Sequence, residues 1–155
     1  MPLKAHLLIV DDEANTLASL ARAFRLAGHE ATVCDNAGRA MELLRTETFD
    51  LIFSDVVMPG KSGIEFLEDL KKAGVTTPII LISGQANVEM AVRATKLGAL
   101  DFLEKPLSTD KLLVTVDNAL RLTRLRSTAP PTFRETDKPS RGGPASSLAN
   151  AYSTR

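Results

Sequence analysis

Residues 51–70 read LIFSDVVMPGKSGIEFLEDL. The apolar run Leu51–Phe53 stops at Ser54-Asp55, and the capping-box pattern Ser62-Gly63-Ile64-Glu65 then opens a helix with Ile64, Leu67 and Leu70 on one face. A short, wholly apolar run predicts a strand covered on both sides, as in a parallel sheet between two helical layers. The same strand-then-helix unit recurs in both directions. Leu7–Val10 precedes Asp11, Ile79–Ile82 precedes Ser83, and Phe102-Leu103 precedes Glu104-Lys105. Glu30–Asp35, with alternating Ala31 and Val33, is a weaker strand. Between the strands, Leu17, Leu20, Ala21 and Phe24 repeat at helical spacing before a stop at Gly28, and Asn36 caps a helix carrying Ala40, Leu43 and Leu44. Val88, Ala91, Val92 and Thr95 mark a fourth helix stopped by Gly98. Ser108 caps a fifth, with Leu112, Leu113, Val116, Ala119 and Leu120 toward the core. Five strand–helix units imply a parallel sheet with right-handed crossovers, a three-layer α/β sandwich.

Composition sets the outer bounds. A chain of 155 residues, 44% hydrophobic and 25% charged, is globular and long enough for one domain. Its 19 basic and 19 acidic residues cancel, so no strong field draws it to nucleic acid or an acidic membrane. The apolar stretch after His6 is too short for a signal peptide or a membrane span, and the lone Cys34 reads as a strand hydrophobe. A cytoplasmic protein is expected. Composition breaks near Ser127: of the last 29 residues, 15 are Pro, Gly, Ser or Thr, too few of the rest being apolar to order the segment. Residues 1–126 are therefore read as one domain and 127–155 as a disordered tail or linker.

In open α/β sheets ligands bind beyond the carboxyl ends of the strands. That rule selects Asp11 and Asp12 after the first strand, Asp55 after the third, Ser83 after the fourth and Lys105 after the fifth. Three carboxylates sharing a crevice repel and call for a cation. An oxygen-only set suits Mg²⁺, and a lysine and a hydroxyl nearby supply what a phosphoryl group needs. A carboxylate can itself be the nucleophile.

At these residues the chain resembles the receiver domain of two-component response regulators over residues 6–125. Leu8-Ile9-Val10-Asp11-Asp12-Glu13 resembles the family's acidic pair, and Asp55 in Phe53-Ser54-Asp55-Val56-Val57-Met58-Pro59-Gly60 its phosphoacceptor and following loop. Ser83 matches the switch hydroxyl, Phe102 the switch aromatic, and Lys105-Pro106 the lysine before a cis-proline bond. The stretches from Asp55 to Leu67 and from Gly98 to Leu107 look like receivers of nitrogen-regulation-type (NtrC-like) activators. The resemblance implies a flavodoxin-like (βα)5 fold with strand order 2-1-3-4-5. It also implies phosphoryl transfer from a sensor histidine kinase to Asp55, and Mg²⁺ held by Asp12, Asp55 and the Val57 carbonyl, with Asp11 through water. Ser83 and Lys105 would bind phosphoryl oxygens, and Ser83 and Phe102 would switch the helix 4–strand 5–helix 5 face toward an effector or a second copy. The product is a conformation, so the chain is not read as an enzyme, and no direct nucleic-acid or membrane contact is expected of it. No phosphate loop or helix-turn-helix pattern follows, which leaves a stand-alone receiver or a piece of a longer regulator.

Two other classes fit less well. A haloacid-dehalogenase-type phosphatase also uses an aspartate and Mg²⁺, but its nucleophile lies in an Asp-x-Asp-x-Thr/Val pattern at the first strand, and Asp11-Asp12-Glu13-Ala14-Asn15 departs from it. A non-phosphorylated interaction module needs a broken acidic site, and this one is intact. His6 and His29 are read as surface polar residues, and Met41, Met58 and Met90 as packing or loop residues. Glu13 could assist the metal indirectly or serve as a first-turn helix carboxylate. Val57 and Gln85 are the residues best placed to touch a hydrolytic water opposite Asp55. Val57 cannot hydrogen-bond it, so self-dephosphorylation is expected to be slow to moderate.

Overall fold

The computed structural model describes residues 4–85 and 87–127, with side chains to Thr123. Five strands alternate with five helices: β1 (His6–Val10), α1 (Ala14–Leu26), β2 (Glu30–Cys34), α2 (Ala37–Thr46), β3 (Leu51–Asp55), α3 (Gly63–Lys72), β4 (Ile79–Ser83), α4 (Val88–Lys96), β5 (Asp101–Glu104) and α5 (Thr109–Ser127). All neighbouring strands pair parallel, in the order β2-β1-β3-β4-β5. The expected sandwich and strand order are therefore present. Two compact units divide the chain, Met1–Arg121 and Leu122–Arg155. The first holds the sheet and the crevice; of the second, only the end of α5 is described. Apart from Ser127, the segment read as a tail lies outside the described residues.

Strand alternation builds two cores from one sheet. Leu7, Ile9, Leu51, Phe53, Ile80 and Ile82 join Leu20 and Phe24 of α1 and Val116 and Leu120 of α5. Leu8, Val10, Ile52, Ile79 and Leu81 join Ala40 of α2, Phe66 and Leu67 of α3 and Ala94 of α4. This explains the unbroken apolar runs: β3 and β4 are buried at every position, because neither face of either strand sees water. The helix starts follow their caps. Asn36 Oδ1 accepts the Arg39 amide at 2.8 Å, Ser108 Oγ accepts the Lys111 amide at 3.1 Å, and Ser62 and Glu65 close the reciprocal capping box.

The helix marked by Val88, Ala91, Val92 and Thr95 is present with a face the periodicity left open, and one expectation, that for His29, fails. In α4 the stripe of Val88, Val92 and Thr95 faces solvent, with Val88 79% exposed; the helix instead packs through Ala94, flanked by half-buried Met90 and Leu97. Two apolar stripes compete on this short helix, and the sheet chose the one with the small central residue. His29 is not a surface residue but is 6% exposed. Gly28 does end α1, its amide donating to Arg25 O and the His29 amide to Phe24 O, both at 3.0 Å. That turn folds the chain back over the helix end and carries His29 inward, where its Nδ1 accepts the Ala5 amide at 3.1 Å.

Candidate functional site

Parallel pairing brings the carboxyl ends of β1, β3, β4 and β5 to one edge of the sheet. Asp11 follows β1 directly and is 2% exposed. Its Oδ1 accepts the Glu13 amide at 2.9 Å, and its Oδ2 accepts Lys105 Nζ at 3.1 Å. Because Glu13 makes no side-chain cap for α1, the Asp11 carboxylate also closes that helix start. Asp55, the last residue of β3, is 7% exposed; its Oδ1 receives the Val57 amide at 3.4 Å, and Lys105 Nζ stands 3.4 Å from its Oδ2. Asp12 is exposed at the rim, and one oxygen from each of Asp11, Asp12 and Asp55 lies within 4.8 Å of the others.

The electrostatics follow from that crowding. At the effective dielectric of a protein surface, each carboxylate pair at such a distance repels by roughly 3 kcal/mol. Burial first, and the Asp11 charge second, push the Asp55 pKa above the usual carboxylate value, with Lys105 and the Val57 amide pulling partly back. Burial alone would lower the Lys105 pKa, but the hydrogen bond to Asp11 and the charges of Asp11 and Asp55 win, and it lies above the ordinary lysine value. Three carboxylates against one lysine leave two negative charges over. An all-oxygen donor set with that surplus fits Mg²⁺, which needs hard oxygen ligands.

Asp12, Asp55, Val57, Gln85 and Lys105 border a cavity of about 360 Å³ above these oxygens, open to solvent. The crevice thus gathers Asp11, Asp12, Asp55 and Lys105, with Val57 60% exposed at its mouth. Ser83 is wholly buried at the end of β4, its Oγ accepting the Gln85 amide at 3.0 Å. Phe102 lies away from the carboxylates, half-buried against the core shared by α2, α3 and α4. The Lys105-Pro106 bond is cis. Sequence reading missed Gly63, at the first position of α3. A methyl group there would stand 2.3 Å from the Asp55 carbonyl oxygen. The available signal was a glycine where helix formation asks for none.

Over residues 7–117 the chain matches the response regulator receiver domain family. It is 39% identical over 121 residues to the transcriptional regulatory protein FixJ of Bradyrhizobium diazoefficiens, a match covering 78% of this chain and 59% of FixJ. Among solved structures it resembles NtrX from Brucella abortus, with a TM-score of 0.76 and 32% identity over 81% of this chain and 29% of NtrX. It also resembles the receiver domain of the Francisella response regulator 1452, with a TM-score of 0.73 and 30% identity over 77% of this chain and 98% of that domain. The chain thus spans less than two thirds of FixJ and under a third of NtrX. Nothing in these comparisons supports the phosphatase alternative. The acidic crevice and the relatives agree, and the chain belongs to the family of response regulator receiver domains.

Proposed function

We propose that Asp55 accepts a phosphoryl group from the phosphohistidine of a sensor histidine kinase, and that the chain signals by the change of shape that follows. The observation that carries this reading is the placement of Asp55: a carboxylate at the end of a central strand, open to a cavity, with a lysine at 3.4 Å and two further carboxylates beside it. An Asp55 oxygen attacks phosphorus, forming the O–P bond as the N–P bond to the imidazole breaks, and the imidazole keeps the electron pair. Asp12, Asp55 and the carbonyl of Val57 would hold Mg²⁺, with the Asp11 carboxylate beside them adding negative charge. When bound, the ion supplies countercharge to the phosphoryl oxygens. Lys105, already shared between Asp11 and Asp55, turns to a phosphoryl oxygen. Ser83 donates to another, since Gln85 occupies its oxygen but not its proton.

The added charge, about −1.5 to −2, draws Ser83 forward, and Phe102 moves inward into the space released. The surface of α4, β5 and α5 repacks and presents itself to an effector or a second copy. Val88 and Val92, exposed on α4, suit such a face. Residues 1–126 form the receiver and 127–155 a linker or tail. The place of action is the cytoplasm, and among the described residues no helix is long and apolar enough to cross a membrane. Catalysis by the chain is confined to its own phosphorylation and dephosphorylation. The test is to incubate the protein with a small phosphodonor and Mg²⁺ and map the adduct. Stoichiometric label on Asp55, lost with Asp55→Asn or excess chelator, is expected; full labelling of Asp55→Asn overturns the reading.

A further inference from the structure

We infer that Gly63 is a positioning residue for Asp55: its missing side chain lets the start of α3 press against the peptide that carries the carboxylate. The inference rests on Asp55 being the reacting group of the crevice. A Cβ at position 63 would meet the Asp55 carbonyl oxygen at 2.3 Å, the Val56 Cα at 2.9 Å and the Asp55 carbonyl carbon at 3.0 Å. All three are backbone atoms, so no flexible side chain can swing aside. The contact is also bonded. The Gly63 amide donates to Val56 O at 2.8 Å, while on the opposite side the Val56 amide donates to Ile82 O at 2.9 Å. The Ser54 hydroxyl donates to the Asp55 carbonyl itself at 3.0 Å. The peptide after Asp55 is therefore held from β4, from its own strand and from α3 at once.

An added methyl group must move something by the better part of an ångström. The helix resists, because Phe66 and Leu67 are 0% exposed and the capping box fixes its first turn. The strand interior resists equally, being paired on both sides through Ile52, Phe53 and Ser54. What yields is the strand end and the loop behind it, Asp55 to Lys61, which bears the carboxylate and Val57. Misplacing a reacting group by about 1 Å costs on the order of 100-fold in rate.

Gly74, at the other end of α3, is the control. It sits at φ +76° with nothing within 4 Å of where a methyl group would stand, so alanine there strains the helix end without touching Asp55. Both variants should melt below wild type. Gly63→Ala should bind Mg²⁺ at least 10-fold more weakly and label about 100-fold more slowly with a small phosphodonor, while Gly74→Ala changes neither. Mg²⁺ affinity close to wild type in Gly63→Ala would overturn the inference, as would failure of that variant to fold, since the loop is held to yield before the core. A measurement on the wild-type chain guards the conclusion. By linkage, Mg²⁺ must slow hydrogen exchange of the Gly63 amide, and exchange at Gly63 unchanged by saturating Mg²⁺ overturns it. The Mg²⁺ arms do not depend on phosphoryl transfer. Wild type that binds Mg²⁺ but never labels at Asp55 sinks the phosphoacceptor reading, whereas normal labelling of both proteins sinks only the role of Gly63.

Discussion

The two edges of the sheet handle their buried and half-buried polar groups in opposite ways. At the amino edge each group meets its complement. Asp50 Oδ2 accepts the His6 amide at 2.8 Å, His6 Nε2 pairs with Thr32 Oγ1 at 2.8 Å, and His29 Nδ1 accepts the Ala5 amide at 3.1 Å. His6 also stacks on Phe49, with ring centroids 4.4 Å apart. At the carboxyl edge, carboxylates face carboxylates, and Lys105 is shared between two of them. The amino edge is built for stability, where a polar group exists to satisfy its partner. The carboxyl edge keeps unfavourable charge in place for a ligand to relieve. The difference marks the carboxyl edge as the candidate site without reference to any motif.

Substitutions at the two edges should therefore separate folding from chemistry. The largest expected effect on stability is at the amino edge. His29→Leu leaves the buried Ala5 amide without its acceptor and should cost about 1–3 kcal/mol, lowering Tm by several degrees, with phosphodonor labelling unchanged. Loss of labelling in a folded His29→Leu would break the division between the edges.

Lys105→Ala should act the other way round. Removing a partly exposed cation from Asp11 and Asp55 should cost less stability, about 1 kcal/mol, and so a smaller fall in Tm, which added Mg²⁺ restores, while the switched conformation is lost. Thermal melts with and without Mg²⁺, beside a conformational readout of the phosphorylated form, check this. A collapse in Tm with switching intact would contradict it.

Asp55→Asn should stabilise the metal-free fold, a gain set by pH. The raised pKa of Asp55 means the folded chain holds this proton more tightly than the unfolded one, so wild type loses stability as pH climbs from the ordinary carboxylate value through the raised one. The advantage of Asp55→Asn should therefore be present at neutral pH and fade below about pH 4. Denaturant midpoints at both pH values check the sign, and Asp55→Asn less stable at neutral pH would show the crevice to be unstrained.

The smallest effect expected is kinetic. Val57 and Gln85 both border the cavity, and Val57 offers no hydrogen bond there. Val57→Asn should shorten the lifetime of the phosphorylated state a few-fold at fixed Mg²⁺, about 1 kcal/mol in barrier. Equal or slower decay would mean that this side chain does not orient the water.

Much of this protein is legible in its sequence because the signals are local. Continuous apolar runs mark β1, β3 and β4, since both faces of each are covered, and Asn36, Ser62 and Ser108 announce their helices through bonds spanning three residues. Asp11, Asp55 and Lys105 were legible too, because each stands at or just past the end of a strand and a parallel sheet places all such ends on one side. What the tertiary structure alone decided is which side of an ambiguous element turns inward and which distant backbones touch. The stripe of α4 with Ala94, not that with Val88 and Val92, meets the sheet; His29 is buried by the turn that ends α1; and Gly63 must lack a side chain because α3 comes within reach of the Asp55 carbonyl. The physical reason is common to the three: hydrophobic periodicity and capping act within a few residues, whereas close packing is settled among segments far apart in the chain.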